Sequence, residues 1–162
     1  MQTYKIKAVS RQGLIRKACI KDIKPIQLLI NRFARRDLML PRALNELYEN
    51  IRDFWVYERG GRIIGCCALH FCWEELAEVK SLAVERGHWK KGIGRQLVEN
   101  CIKDAAKMGA ESIFALTYQP GFFQKMGFRR IAHSKLPHKI WAECIHCPKF
   151  PDCKEVALLK KL

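Results

Sequence analysis

Hydrophobic positions along this chain change period several times, and each change marks an element. A short run from Gly13 to Ala18 reads as a strand. Asp22 then offers an N-cap to a helix that carries Ile26, Leu29, Ile30 and Phe33 at helical spacing. Pro41 suits the first turn of a second helix, whose apolar face continues through Leu44, Leu47, Tyr48 and Ile51. Phe54 to Glu58, Arg62 to Cys72 and Leu76 to Val84 are rich in β-branched and aromatic residues, with Gly60-Gly61 between the first two, and predict a three-stranded antiparallel meander. The helical period returns from Gly94 with Leu97, Val98, Cys101, Ile102 and Ala105, and Gly109 stands where that helix stops. Ser112 to Thr117 is a further strand, Gly121 to Met126 a short helix closed by Gly127, and Arg129 to His133 and Glu155 to Leu159 the last strands. The order β-α-α-β-β-β-α-β-α-β-β is a mixed α+β arrangement. No repeat or linker divides it, which predicts one domain over residues 1–162, with residues 1–11 as a loose arm and 142–154 as a cysteine-rich loop.

The longest apolar stretches, such as Ile63 to Phe71, are interrupted by Gly65 and His70 and fall well short of the roughly 20 residues of a membrane span. The N-terminus lacks the apolar core of a secretory signal, so a cytoplasmic location away from membranes is expected. In that setting eight cysteines read as thiols or metal ligands, and Cys19, Cys66, Cys67, Cys72 and Cys101, within apolar segments, as small core residues. Thirty Lys and Arg against 16 Asp and Glu give a net charge of +14, which calls for an anionic partner but does not choose among a phosphorylated cofactor, a nucleic acid and a merely solvated surface.

The stretch from Ser81 to Arg95 is more selective. A strand runs into a basic loop with two glycines and then a helix start. Gly92 and Gly94 permit close backbone approach, the exposed amides of the helix N-terminus face an anion, and Lys90, Lys91 and Arg95 add charge. It lacks the Lys-Ser/Thr ending of a P-loop and follows an antiparallel meander instead of opening a βαβ unit. Strand Leu76 to Val84 followed by WKKGIGRQLVENC resembles the acetyl-coenzyme A motif of the GNAT acetyltransferases. The resemblance implies a mostly antiparallel central sheet, splayed at strands 4 and 5 and flanked by helices. It further implies a cofactor site formed by Leu82, Ala83 and Val84 along the pantetheine arm and by Trp89, Lys90, Lys91, Gly92, Ile93, Gly94 and Arg95 around the diphosphate. Trp89 departs from the Gln or Arg usual there. In GFFQKMGF, the position that usually holds tyrosine is Phe123, which removes the ordinary general acid and leaves an aromatic beside the cofactor.

ELYENIRDFWVYERGGRIIGCCALH, LAEVKSLAV, FALTYQPGFFQKMGF and KLPHKIW resemble segments of the bacterial N-acetylglutamate synthases, closest to the short ones without a kinase-like domain. That resemblance implies acetyl transfer to the α-amine of L-glutamate, the entry step of arginine biosynthesis. It implies Glu78 as general base on the central strand, on the same face as Lys80 and Leu82 by the two-residue period; a salt bridge to Lys80 or Arg52 is the alternative for this carboxylate. The amide near Leu82 would stabilise the oxyanion, and Tyr118 or a water would protonate the leaving thiolate. Arg52, Lys80 and Lys139 are the candidate partners of the substrate carboxylates, with Arg42, His70 and His138 as further pocket candidates.

Cys144, Cys147 and Cys153, with His138, His146 or Asp152 to complete the set, offer a structural zinc site; reduced thiols are the alternative. Another small amine or a protein lysine is the competing acceptor. A basic nucleic-acid-binding module, motivated by the charge, Arg35-Arg36 and Arg129-Arg130, is the competing class. A homodimer is compatible with the sequence and not derivable from it.

Overall fold

Seven strands form a single sheet in the order β1-β2-β3-β4-β5-β7-β6. The computed structural model describes residues 13–162, without the side chains of His138, Lys139 and Glu143, so the loose arm expected over residues 1–11 lies outside the described residues. β1 (Leu14–Lys17), β2 (Phe54–Arg59), β3 (Arg62–Trp73) and β4 (Leu76–Val84) pair antiparallel in succession. β5 (Ser112–Thr117) lies parallel to β4, and β7 (Val156–Lys161) enters antiparallel between β5 and β6 (Arg129–Arg130). The fold is α+β with a mixed sheet covered by helices on both faces.

α1 (Ile23–Ala34) and α2 (Leu44–Glu49) cover one face: Ile23, Ile26, Ile30 and Leu47 pack on Phe54, Val56, Cys66 and Ala68. α3 (Ile93–Lys107) covers the other with Leu97, Val98, Cys101 and Ala105 against Cys67, Leu69, Ala77 and Val79. The 3–4 spacing of its apolar residues gives α3 one continuous buried stripe, and Gly109 ends it at φ 93°, in the left-handed region. Truncating fully buried Leu97 to Ala removes about 2–5 kcal/mol of such packing. α4 (Pro120–Gln124) follows β5, and α5 (His138–Ile145) sets Ile140 beside Leu136 on Leu76, Phe114 and Ala157.

The meander has the expected limits within two residues, but five local expectations give way. Asp22 stands at the start of α1 without capping it. Its carboxylate turns back to accept from the Cys19 amide at 2.8 Å and from both terminal nitrogens of Arg16, at 2.6 and 3.0 Å. Burial pushes this carboxyl up, but the hydrogen bonds from Arg16 and Cys19 outweigh it and bring it down to about 2. α2 begins only at Leu44, past Pro41, and of its expected apolar face Leu47 is buried while Leu44 and Tyr48 are exposed. β6 is confined to two residues, and α5 occupies part of the segment expected to be loop, carrying Cys144 on its last turn. Of the five cysteines expected in the core, Cys66, Cys67 and Cys101 are buried, Cys72 is half-buried and Cys19 is exposed. Among the described residues no helix is long and apolar enough to cross a membrane.

Candidate active site

The central strands part company at one carboxylate. β4 pairs with β5 only from Leu76 to Glu78, opposite Ser112 to Phe114, while on its other side β3 stays paired as far as Val84. Beyond Glu78 the β5-facing edge of β4 is therefore open, a row of main-chain groups to which an extended ligand can add as a strand.

A bulge divides that edge. Cys66 pairs with Ala83 and Ala68 with Lys80, so Cys67 alone faces both Ser81 and Leu82, and Ser81 takes a left-handed φ of 54°. The extra residue reverses the alternation. Ala77 and Val79 face α3 before the bulge; Leu82 and Val84 face it afterwards. Leu82 is thus on the opposite face from Glu78, not on the same one as the two-residue period predicts. The Cys66 thiol donates to the Ser81 carbonyl at 3.5 Å, across the bulge. The Glu85 amide donates to Ile64 O of β3 at 2.8 Å, so by alternation Ala83 also turns its main chain to β3, whereas Leu82 and Val84 turn theirs to the open edge. Ala83, with a buried side chain as well, contributes nothing to that edge, contrary to expectation.

The loop after β4 ends at Gly92, whose φ of 77° a side chain would strain, and α3 starts there with Gln96 N–H donating to Gly92 O at 3.0 Å. The first amides of α3 have no acceptor within the helix and carry the positive end of its dipole, a donor set that suits a diphosphate. Gly94 lies where a Cβ would stand 3.6 Å from the Phe122 ring and 3.7 Å from Val84. Lys91 is tied to Gly87 O at 3.0 Å and Arg95 to Glu99 at 2.8 Å, while Lys90 is exposed at φ 60°. Trp89 donates its indole N–H to Val84 O on the open edge at 2.6 Å, stacks on Phe33 with ring centres 6.0 Å apart, and lies 5.4 Å from the Arg86 guanidinium. Two expected cofactor contacts are core residues: the Ile93 side chain is buried, and Phe123 is buried against Phe122 and Phe128. At Ile93 only the main chain is left for a ligand, and Phe122, not Phe123, is the aromatic beside Gly94.

Glu78 is 8% exposed, with Lys80 Nζ 3.5 Å from its carboxylate. His70 is its directly opposed partner on β3, and His70 Nδ1 is 2.7 Å from Asp53 Oδ2. Arg42 reaches the bulge, donating from Nε to Ser81 Oγ at 3.2 Å. Its main chain is held by α1: the amide donates to Asn31 Oδ1 at 3.0 Å, and the carbonyl accepts from Gln27 and Asn31. No local sequence signal announces this tether. Tyr118, just past β5, has Lys149 Nζ 5.1 Å from its ring centre, and Lys149 in turn pairs with Asp37 at 3.5 Å. Burial pushes the Tyr118 hydroxyl up, and does the same to the Glu155 carboxyl on the strand side of that loop. Arg52 is exposed beside Asp53, and the Lys139 side chain lies outside the described residues, as does that of His138.

Cys144, Cys147 and Cys153 are free thiols, and burial pushes Cys144 and Cys153 up. Among the described residues no group of three His, Cys, Asp or Glu side chains is placed to hold a metal ion, so the expected zinc site finds no support.

The profile of the Acetyltransferase (GNAT) family matches residues 20–128. An uncharacterized N-acetyltransferase of Chlorobaculum tepidum is 40% identical over 148 residues, 91% of this chain and 96% of its own. An amino-acid acetyltransferase of Mycobacterium tuberculosis is 30% identical over 80% of this chain and 76% of its own; against the amino-acid acetyltransferase of Edwardsiella ictaluri, 32% identical, this chain spans 29% of the relative's length. Among solved structures, N-acetylglutamate synthase of Neisseria gonorrhoeae with coenzyme A and N-acetyl-glutamate superposes with a TM-score of 0.85 at 26% identity, over 96% of this chain and 36% of that one. A Mycobacterium tuberculosis protein complexed with CoA gives 0.78 at 27%, over 92% and 99%. The chain belongs to the GNAT acetyltransferase family and is an acetyl-CoA-dependent N-acetyltransferase.

Proposed function

We propose that the chain transfers the acetyl group of acetyl-CoA to the α-amine of L-glutamate by direct attack, at the head of arginine biosynthesis. The observation that carries this reading is the buried Glu78 carboxylate at the point where β4 and β5 diverge, beside an open strand edge and one strand from a helix N-terminus. The diphosphate lies on the amides from Lys91 to Arg95, and the pantetheine arm runs along the Leu82 and Val84 main chain. Glu78 takes a proton from the ammonium group, the neutral amine attacks the thioester carbonyl, and the Leu82 amide receives the developing oxyanion. Tyr118 or a water returns a proton to the thiolate; the raised Tyr118 hydroxyl keeps its proton at neutral pH and suits that task.

An amino-acid acceptor is supported by the relatives' names and by the N-acetyl-glutamate of the Neisseria structure. Its carboxylates would meet Arg42 at the bulge and Lys80 beside Glu78, with Arg52 and Lys139 further out. Thiol release from acetyl-CoA, measured with a panel of free amino acids, small amines and lysine peptides, tests the reading. Turnover with L-glutamate well above the other acceptors supports it; turnover confined to peptides or to other amines removes glutamate.

A further inference from the structure

Each turnover must dispose of one proton. The ammonium nitrogen loses two: as the N–C bond forms and the C–S bond breaks, one ends on the coenzyme A sulfur and the other leaves as H+. On the reading above, which this inference deepens, the second proton is left on Glu78, whose carboxylate is nearly sealed from solvent. A base that cannot unload is spent after one cycle.

His70 is the neighbour equipped to unload it. It is directly opposite Glu78 on β3, and directly opposed side chains share a face with Cβ atoms about 5 Å apart. Its other ring nitrogen, Nδ1, is 2.7 Å from Asp53 Oδ2, which orients the ring. The His70 side chain is 33% exposed and that of Asp53 26%, so this pair, unlike Glu78, borders water. Among the described residues, the other titratable groups near Glu78 do not serve. Lys80 is a cation, Cys72 directs its thiol to His70 O at 3.8 Å, and burial on α5 keeps Cys144 a neutral thiol. We infer that His70, oriented by Asp53, is the proton exit of the active site: the proton left on Glu78 passes through a bridging water to His70 Nε2 and from there to solvent. His70 thus acts through Glu78 and not on the substrate.

The test is His70→Ala assayed in buffers with and without added imidazole, beside Asp53→Asn and Glu78→Gln, with acetyl-CoA affinity measured for each. The expected result is a kcat loss of about 10- to 100-fold in His70→Ala at unchanged acetyl-CoA affinity, restored in part by imidazole in proportion to its concentration. Undiminished kcat, or a loss that imidazole leaves untouched, overturns the exit. Should His70→Ala not fold, Asp53→Asn decides. Lowered kcat with a displaced acid limb of the pH profile supports the pair, and a wild-type profile overturns it. Glu78→Gln at full activity defeats the parent reading instead, and is distinguishable because it says nothing is deposited on Glu78 at all.

Discussion

The two halves of the candidate site are built from different materials. On the proposed cofactor side, from Leu82 to Arg95, the candidate ligand groups are main-chain amides and carbonyls, and Lys91 and Arg95 are tied to their own loop and helix, to Gly87 and to Glu99. On the acceptor side, Glu78, Lys80, His70, Arg42 and Tyr118 come from four separate segments and present side chains. A backbone cradle tolerates most substitutions that keep its path, whereas each side chain on the other half is a separate point of failure.

Glu78→Gln sharpens this contrast most. Steady-state rates should fall by about 10²–10⁴ with acetyl-CoA affinity intact, and partial recovery at high pH should follow as more amine is already neutral. Next is Arg42→Lys, which keeps the charge but loses the fork anchored at Ser81: acceptor KM should rise about 10- to 100-fold while acetyl-CoA KM holds. Equal rises in both would join the two halves into one. On the cofactor side Trp89→Phe keeps a ring for Phe33 and loses the N–H to Val84. Acetyl-CoA binding, followed calorimetrically, should weaken about three- to tenfold with kcat unaffected. The smallest effect lies outside both halves. The Asp22 carboxyl sits near 2, below its ordinary 3.8, so its contribution to stability is complete above that ordinary value and is lost as pH falls toward 2. Thermal midpoints of the wild type should drop across that window, and Asp22→Asn should start lower and show a flatter profile.

The same contrast governs what could be read from the residues alone. The meander was legible because its strands alternate and Gly60-Gly61 marks their turn, and the start of α3 because Gly92 and Gly94 stand at the join of loop and helical period. The bulge was not. Ser81 adopts a left-handed backbone without being glycine, so nothing in LAEVKSLAV tells that the face changes between Lys80 and Leu82. Phe123 and Phe122 are adjacent and alike, and only packing tells which reaches Gly94. α5 did leave a trace, with Ile140, Trp141 and Cys144 at helical spacing after Pro137, but the close cysteine spacing with Pro148 and Pro151 is also the pattern of a loop. Arg42 was visible as a candidate cation, yet its place depends on Asn31 and Gln27, one helix away.

The bulge also limits how the central strand can change over time. Its two halves serve opposite sides of the sheet, the carboxylate on one and the apolar pair Leu82 and Val84 on the other, joined through a single supernumerary residue. Side chains on either half can be exchanged locally, but gaining or losing one residue between Glu78 and Leu82 would turn one half inside out. Length, more than composition, is the conserved quantity to expect in this stretch of functional descendants.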